Sequence, residues 1–154
     1  MATSFTVNGA AVTIDAADAA PLMDVLRNQL GLTSVRYGCG AEQCGTCMVL
    51  IDGEPAYSCT RAVGSVAGRS VTTVEGLGSP ERPHALQRAL LDEQAGQCGY
   101  CLSGIMISAA ALLARNPRPG HGEIIAALDK HLCRCGTHVR ILRAIERAAA
   151  EVSP

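Results

Sequence analysis

The sequence predicts an α+β chain, with a strand-rich first half carrying one helix and an all-helical second half. Three observations predict it. Short β-branched runs and tight-turn dipeptides occupy residues 5–74, helical periodicity occupies 84–151, and Gly76, Gly78, Ser79, Pro80 and Pro83 punctuate the join. The expected division is a first domain over 1–76, a linker over 77–82 and a four-helix domain over 83–154. A chain of 154 residues has room for one domain or two small ones.

The elements follow in order. Residues 5–7 and 12–14 are β-branched runs around Asn8-Gly9, a strong hairpin signal. A helix is expected over 21–30: Pro21 suits its first turn, Leu22, Val25, Leu26 and Leu30 form one apolar face, and Gly31 can end it. Residues 37–47 hold three cysteines among Gly38, Gly40 and Gly45 and read as a loop. Strands are expected at 48–51, at 55–58 after the Asp52-Gly53 turn, and at 70–74. Helices are expected over 84–93, 102–115, 122–131 and 138–151, the second stopped by Asn116-Pro117. We expect two antiparallel helical hairpins facing each other, with Thr137 capping the last helix.

Composition excludes several function classes. Apolar residues make up 48% of the chain, yet it has no Trp, one Phe and three Tyr, so Ala, Val, Leu and Ile must build the core. The net charge of −1 points to neither nucleic acid nor an anionic membrane. The N-terminus shows no basic region followed by an apolar core, and the run over 105–114 is too short to span a bilayer. A cytoplasmic chain without direct membrane insertion is expected. Thiols stay reduced in that compartment, so eight cysteines there argue for metal over disulfides.

Those cysteines fall into two groups of four. Cys39, Cys44, Cys47 and Cys59 follow C-x4-C-x2-C with a fourth residue later, the spacing of a plant-type 2Fe–2S cluster. The surrounding glycines let backbone N–H groups approach and donate to the sulfurs. Cys98, Cys101, Cys133 and Cys135 form a C-x2-C and a distant C-x-C, a spacing that other metals also use. Each pair of this group lies between two expected helices, so four thiolates would meet where two helices begin, facing their free amides and positive dipole ends. Two clusters in so short a chain suggest a wire more than a catalyst, and no nucleophile–base pair or dinucleotide motif is present. The competing reading is a zinc-stabilised interaction module. His131 and His138 read as helix-end residues, Arg134, Arg140, Arg143 and Arg147 as a solvated or interface stripe, and Ser108 to Ala111 as a close-packing helix face.

At Tyr37-Gly-Cys-Gly-Ala-Glu-Gln-Cys-Gly-Thr-Cys, Gly96-Gln-Cys-Gly-Tyr-Cys and Cys133-Arg-Cys-Gly-Thr, the chain resembles the small iron–sulfur subunit of xanthine oxidase family molybdenum hydroxylases. The resemblance runs from about Phe5 to the last helix. It implies a plant-ferredoxin-like (β-grasp) domain and a four-helix domain, each with a 2Fe–2S cluster, and a large partner subunit carrying molybdopterin cytosine dinucleotide. It implies that Gln97 and Cys135 face the pterin. Electrons would pass from molybdenum to the second cysteine group, then to the first, then to a flavin subunit or cytochrome c domain. Cys101-Leu-Ser-Gly departs from the Cys-Thr-Pro-Gly of many relatives. Thr137-His-Val-Arg-Ile-Leu is similar to subunits of bacterial nicotinate, isoquinoline and aldehyde dehydrogenases, and the segment from Glu75-Gly-Leu-Gly to Asp92-Glu-Gln most resembles the nicotinate type. A nicotinate- or isoquinoline-type heteroaromatic substrate is the expectation, with an aldehyde as the alternative.

Overall fold

The computed structural model describes residues 2–152; the expected domain ends at Met1 and at Ser153 and Pro154 lie outside them. Strands β1 (Ala2–Val7) and β2 (Ala10–Asp15) form a hairpin. Its turn residues Asn8 and Gly9 have φ of 50° and 83°, the left-handed pair that a two-residue hairpin demands. β3 (Met48–Ile51) and β4 (Glu54–Tyr57) repeat this device, with Asp52 and Gly53 at φ of 51° and 85°. β5 (Ser70–Thr72) pairs parallel to β1 and antiparallel to β3, giving one mixed sheet in the order β2-β1-β5-β3-β4.

β5 stops two residues before the expected end. The Asn8 side chain accepts from Thr73 N–H at 2.8 Å, and the chain turns at once into a short 3-10 helix, Val74–Gly76. Helix α1 (Leu22–Asn28) buries Leu22, Met23, Val25 and Leu26 in a core with Phe5, Val7, Val49 and Val71. It is shorter than expected because the Leu30 and Leu32 amides turn back to Val25 and Leu26, with Gly31 between them at φ 68°.

The second core is made by α2 (Ala85–Asp92), α3 (Leu102–Arg115), α4 (His121–Leu128) and α5 (His138–Val152). α2 packs chiefly along α5, and α3 against α4. Arg140 and Arg147 of the basic stripe tie α5 to the end of α2, through Gln94 O at 3.2 Å and Asp92 at 2.9 Å. The far side of α3 lies on β3 and β4 of the sheet, so only a narrow stripe at Leu102, Met106 and Ala110 and the last residues Ala114 and Arg115 stay partly or fully exposed. Its small residues Ser108, Ala109 and Ala111 are buried, as a helix clasped between two layers requires.

Two expectations need correction. α4 ends at Leu128, not at 131, so His131 is not a helix-end residue in the solvated sense. The chain turns inward after α4 and buries the imidazole to 5% exposure. Thr137 does not cap α5 with its side chain. Its carbonyl accepts from Arg140 and Ile141 N–H, while its hydroxyl lies 3.7 Å from Cys133 Sγ.

Candidate metal centres and their shared cleft

The first cysteine loop folds around its own sulfurs. Ala41 and Gln43 N–H donate to Cys39 Sγ at 3.3 and 3.2 Å, and Cys39 N–H donates to Cys44 Sγ at 3.4 Å. Wrapping a backbone this tightly needs left-handed residues, supplied by Gly40 and Gly45 at φ of 66° and 76° and by Glu42 at 56°. Glu42 is held there by its carboxylate, which accepts from Thr60 Oγ1. At Gly38 a Cβ would stand 2.7 Å from Cys44 Sγ and displace the sulfur. Cys47 and Cys59 meet on the other side of the loop, where buried Ser58 donates Oγ to the Cys47 carbonyl at 2.6 Å.

The second group is gathered by three helix ends. Cys101 immediately precedes α3, Cys133 and Cys135 lie between α4 and α5, and Tyr100 N–H donates to Cys98 Sγ at 3.5 Å. All eight thiols are free; that of Cys98 faces Cys135, and that of Cys101 faces Cys133. Each group is therefore arranged as two pairs: Cys39 with Cys44 and Cys47 with Cys59, then Cys98 with Cys135 and Cys101 with Cys133.

Local fields set these thiols apart. The amides of Ala41 and Gln43 bring Cys39 down to about 7. Burial pushes Cys47 up to about 11 and Cys101 up to about 12. Burial also pushes Cys133 up, but the Thr137 amide and hydroxyl outweigh it and bring this thiol to about 7. Cys98 is lowered by the Tyr100 amide and then by Cys135. Since iron takes thiolates, loading must displace the proton from the buried member of a pair.

A 2Fe–2S cluster asks for four thiolates, two on each iron. The residues fit that demand: two pairs per group, with backbone donors aimed at the sulfurs. Among the described residues, no three Cys, His, Asp or Glu side chains gather closely enough to hold one metal ion.

The two groups share one cleft. It measures about 440 Å³ and is lined by Cys44 of the first group and by Cys98, Cys101 and Cys133 of the second, with Gly38, Thr46, Tyr100, Leu132 and Arg134. Sequence reasoning missed the residues that close it. Arg36 donates to the carbonyls of Gly99 at 2.6 Å and Tyr100 at 3.0 Å, and its guanidinium lies 5.2 Å from the Tyr100 ring centroid. Tyr100 donates its hydroxyl to Tyr37 O at 2.5 Å, and Leu132 N–H donates to Cys44 O at 3.1 Å. No local pattern marks these contacts, because each joins residues far apart in the chain. His131 shares a 2.7 Å hydrogen bond with Ser108 Oγ. Burial and then the Lys130 charge hold its pKa at about 4, so the ring is neutral.

Gln97 is exposed and Cys135 half-buried. Next to Gln97, Gly96 lines an open groove of about 630 Å³ with Leu90, Leu91, Leu102, Met106 and the turn over 78–83. Leu91 is 76% exposed there. Among the described residues no helix is long and apolar enough to cross a membrane.

Comparison with known proteins assigns this architecture. A family model described as a 2Fe-2S iron-sulfur cluster binding domain matches residues 5–69, and one described as a 2Fe-2S binding domain matches 73–146. One subunit of the nicotinate dehydrogenase of Pseudomonas putida is 51% identical over 95% of this chain and 93% of its own length. The alpha subunit of isoquinoline 1-oxidoreductase from Brevundimonas diminuta is 48% identical over 97% of this chain and 98% of its own. The crystal structure of the aldehyde oxidoreductase from Desulfovibrio desulfuricans superposes with a TM-score of 0.94 at 40% identity; the match covers 97% of this chain but 17% of that one. With a ferredoxin-like α+β fold, two 2Fe–2S domains and such relatives over nearly its whole length, the chain belongs to the small iron–sulfur subunits of the xanthine oxidase family of molybdenum-dependent oxidoreductases.

Proposed function

We propose that the chain is the electron-transfer subunit of a molybdenum hydroxylase whose large partner subunit carries molybdopterin cytosine dinucleotide. The observation that carries this reading is the shared cleft, into which thiols of both groups open side by side. Cys98, Cys101, Cys133 and Cys135 would hold the cluster that receives the electrons, and Cys39, Cys44, Cys47 and Cys59 the one that passes them on; each cluster would supply a one-electron redox couple when bound. The chain's own residues do the rest. The Ala41, Gln43 and Tyr100 amides donate to the sulfurs and favour the reduced, more negative state. The Arg36 guanidinium adds positive charge beside the second loop.

Gln97 and Cys135 face the pterin in this reading, and the apolar groove beside Gly96 supports a docking face there. The domains span 1–76 and 83–154 around a linker at 77–82. A nicotinate- or isoquinoline-type substrate is favoured by the 51% and 48% identities to those subunits. The aldehyde alternative draws on the 0.94 superposition. The acceptor is a flavin subunit or a cytochrome c domain, and the complex works in the cytoplasm.

The test is EPR of the dithionite-reduced complex with spins counted per chain, followed by turnover with nicotinate, isoquinoline and an aromatic aldehyde. Two distinct spin-one-half signals and turnover of a heteroaromatic are expected. A colourless, zinc-containing protein would overturn the reading.

A further inference from the structure

The joint between the two thiol groups contains a residue with no role so far. His131 is 5% exposed, yet its Nδ1 has no hydrogen-bond partner. An unpaired buried ring nitrogen is costly, and a leucine would fill similar space without that cost. The reason for a histidine lies in what the ring touches.

Gly45 sits between Cys44 and Thr46 in the first loop. A Cβ placed on it would lie 2.3 Å from His131 Nδ1 and 2.6 Å from Lys130 O, so the ring edge rests directly on the Gly45 backbone. The same residue is gripped at its carbonyl. A Cβ on Gly104, in the first turn of α3, would lie 2.1 Å from Gly45 O. The Cys44–Thr46 backbone is thus held in a vice between α3 and the imidazole. The ring is fixed in turn by Nε2, bonded to Ser108 Oγ one α3 turn further on. The vice closes on the point where the two loops join: Leu132 N–H donates to Cys44 O at 3.1 Å, and Leu132 is bonded to Cys133. A continuous route runs from Cys44 Sγ through its carbonyl, across this hydrogen bond, and along the Leu132 backbone to Cys133 Sγ.

We propose that His131 is a positioning residue for electron transfer between the two centres: its ring, braced on Ser108, clamps the Gly45 backbone next to Cys44 and keeps the Leu132–Cys44 bridge closed. This rests on the two-centre reading above. The step it serves moves one electron from the reduced second centre to the oxidised first, with no bond made or broken. Gly45 is required because any side chain would enter the ring's place.

The experiment uses the whole complex, as wild type, His131→Ala, His131→Gln and Ser108→Ala. Two readouts are taken: the magnetic splitting between the two reduced centres, which falls with the cube of their separation, and hydrogen exchange at the Leu132 amide. His131→Ala should keep both signals at full spin count, lose the splitting and exchange Leu132 about tenfold faster. His131→Gln, whose amide can reach Ser108, should restore both properties. Ser108→Ala should shift both in the direction of His131→Ala. Unchanged splitting and unchanged exchange in His131→Ala overturn the proposal. If His131→Ala fails to load both centres, Ser108→Ala decides: a shift supports the clamp and wild-type behaviour refutes it. A wild-type complex with fewer than two signals overturns the two-centre reading instead, and the Leu132 exchange comparison still decides whether His131 closes the bridge.

Discussion

Gly104→Ala probes the seam on which the two-centre arrangement depends. The new methyl would stand 2.1 Å from Gly45 O, 2.9 Å from Gly45 C and 3.2 Å from Thr46 Cα. All three are backbone atoms, so no side-chain rotation relieves the contact, and either α3 or the first cysteine loop must move. Overpacking a tight interior costs about 1–3 kcal/mol, and a main-chain collision belongs at the upper end. Alanine returns up to about 1 kcal/mol of helix propensity relative to glycine. The net loss is about 2 kcal/mol. For a chain of 154 residues, each kcal/mol lowers the unfolding midpoint by about 2–4 °C, so a fall of about 4–8 °C is expected. Scanning calorimetry of the iron-loaded protein reads it directly. Gly136→Ala is the control, since its Cβ would meet nothing within 4 Å and only its φ of 74° is strained. It should lose only that backbone strain, about 1–2 kcal/mol. A Gly104→Ala midpoint at or above wild type would refute the reasoning and mean that α3 does not bear on the Gly45 peptide.

Other outcomes follow from the same geometry. Cys44→Ala should abolish one EPR signal and leave the other, and retention of both would reject the ligand assignment. Gln97→Ala should preserve the spin count but slow reduction of the second centre by substrate in stopped-flow experiments; an unaltered rate would remove Gln97 from the pterin contact. Burial pushes the Glu75 carboxyl up, but hydrogen bonds from Ser34 and Thr73 outweigh it and hold it below its ordinary 4.5. A depressed carboxyl stabilises the fold above the ordinary value, and that contribution is lost as pH falls below 4.5 through the folded pKa. Glu75→Gln should therefore cost about 1 kcal/mol at neutral pH, at the low end because the group is solvated, and should flatten the acid side of the stability profile. Chelating the iron should lower the unfolding midpoint of the wild type, since metal binding to a folded thiol site is folding free energy.

Short-range chemistry made part of this protein legible from its residues alone. Asn8-Gly9 and Asp52-Gly53 require two successive left-handed residues, so both hairpins could be read. The spacing of Cys39, Cys44 and Cys47 and the glycines around them specified a loop that wraps its own sulfurs, and the periodicity of 84–151 marked four helices. Everything that depends on distant partners came from packing. β5 pairs parallel with β1 across more than sixty intervening residues, a choice no local pattern carries. Cys98 chooses Cys135 and Cys101 chooses Cys133 because α3 and α5 begin at the same end of the helical core. α4 stops at Leu128 although its apolar rhythm could run on, because burying His131 against Ser108 and Gly45 turns the chain inward. Arg36 and Tyr100, ordinary in sequence, become a brace between the two ligand loops. Spacing along a chain fixes which thiols can share a metal, whereas the distance between two centres is set by packing, and packing is a property of the whole fold.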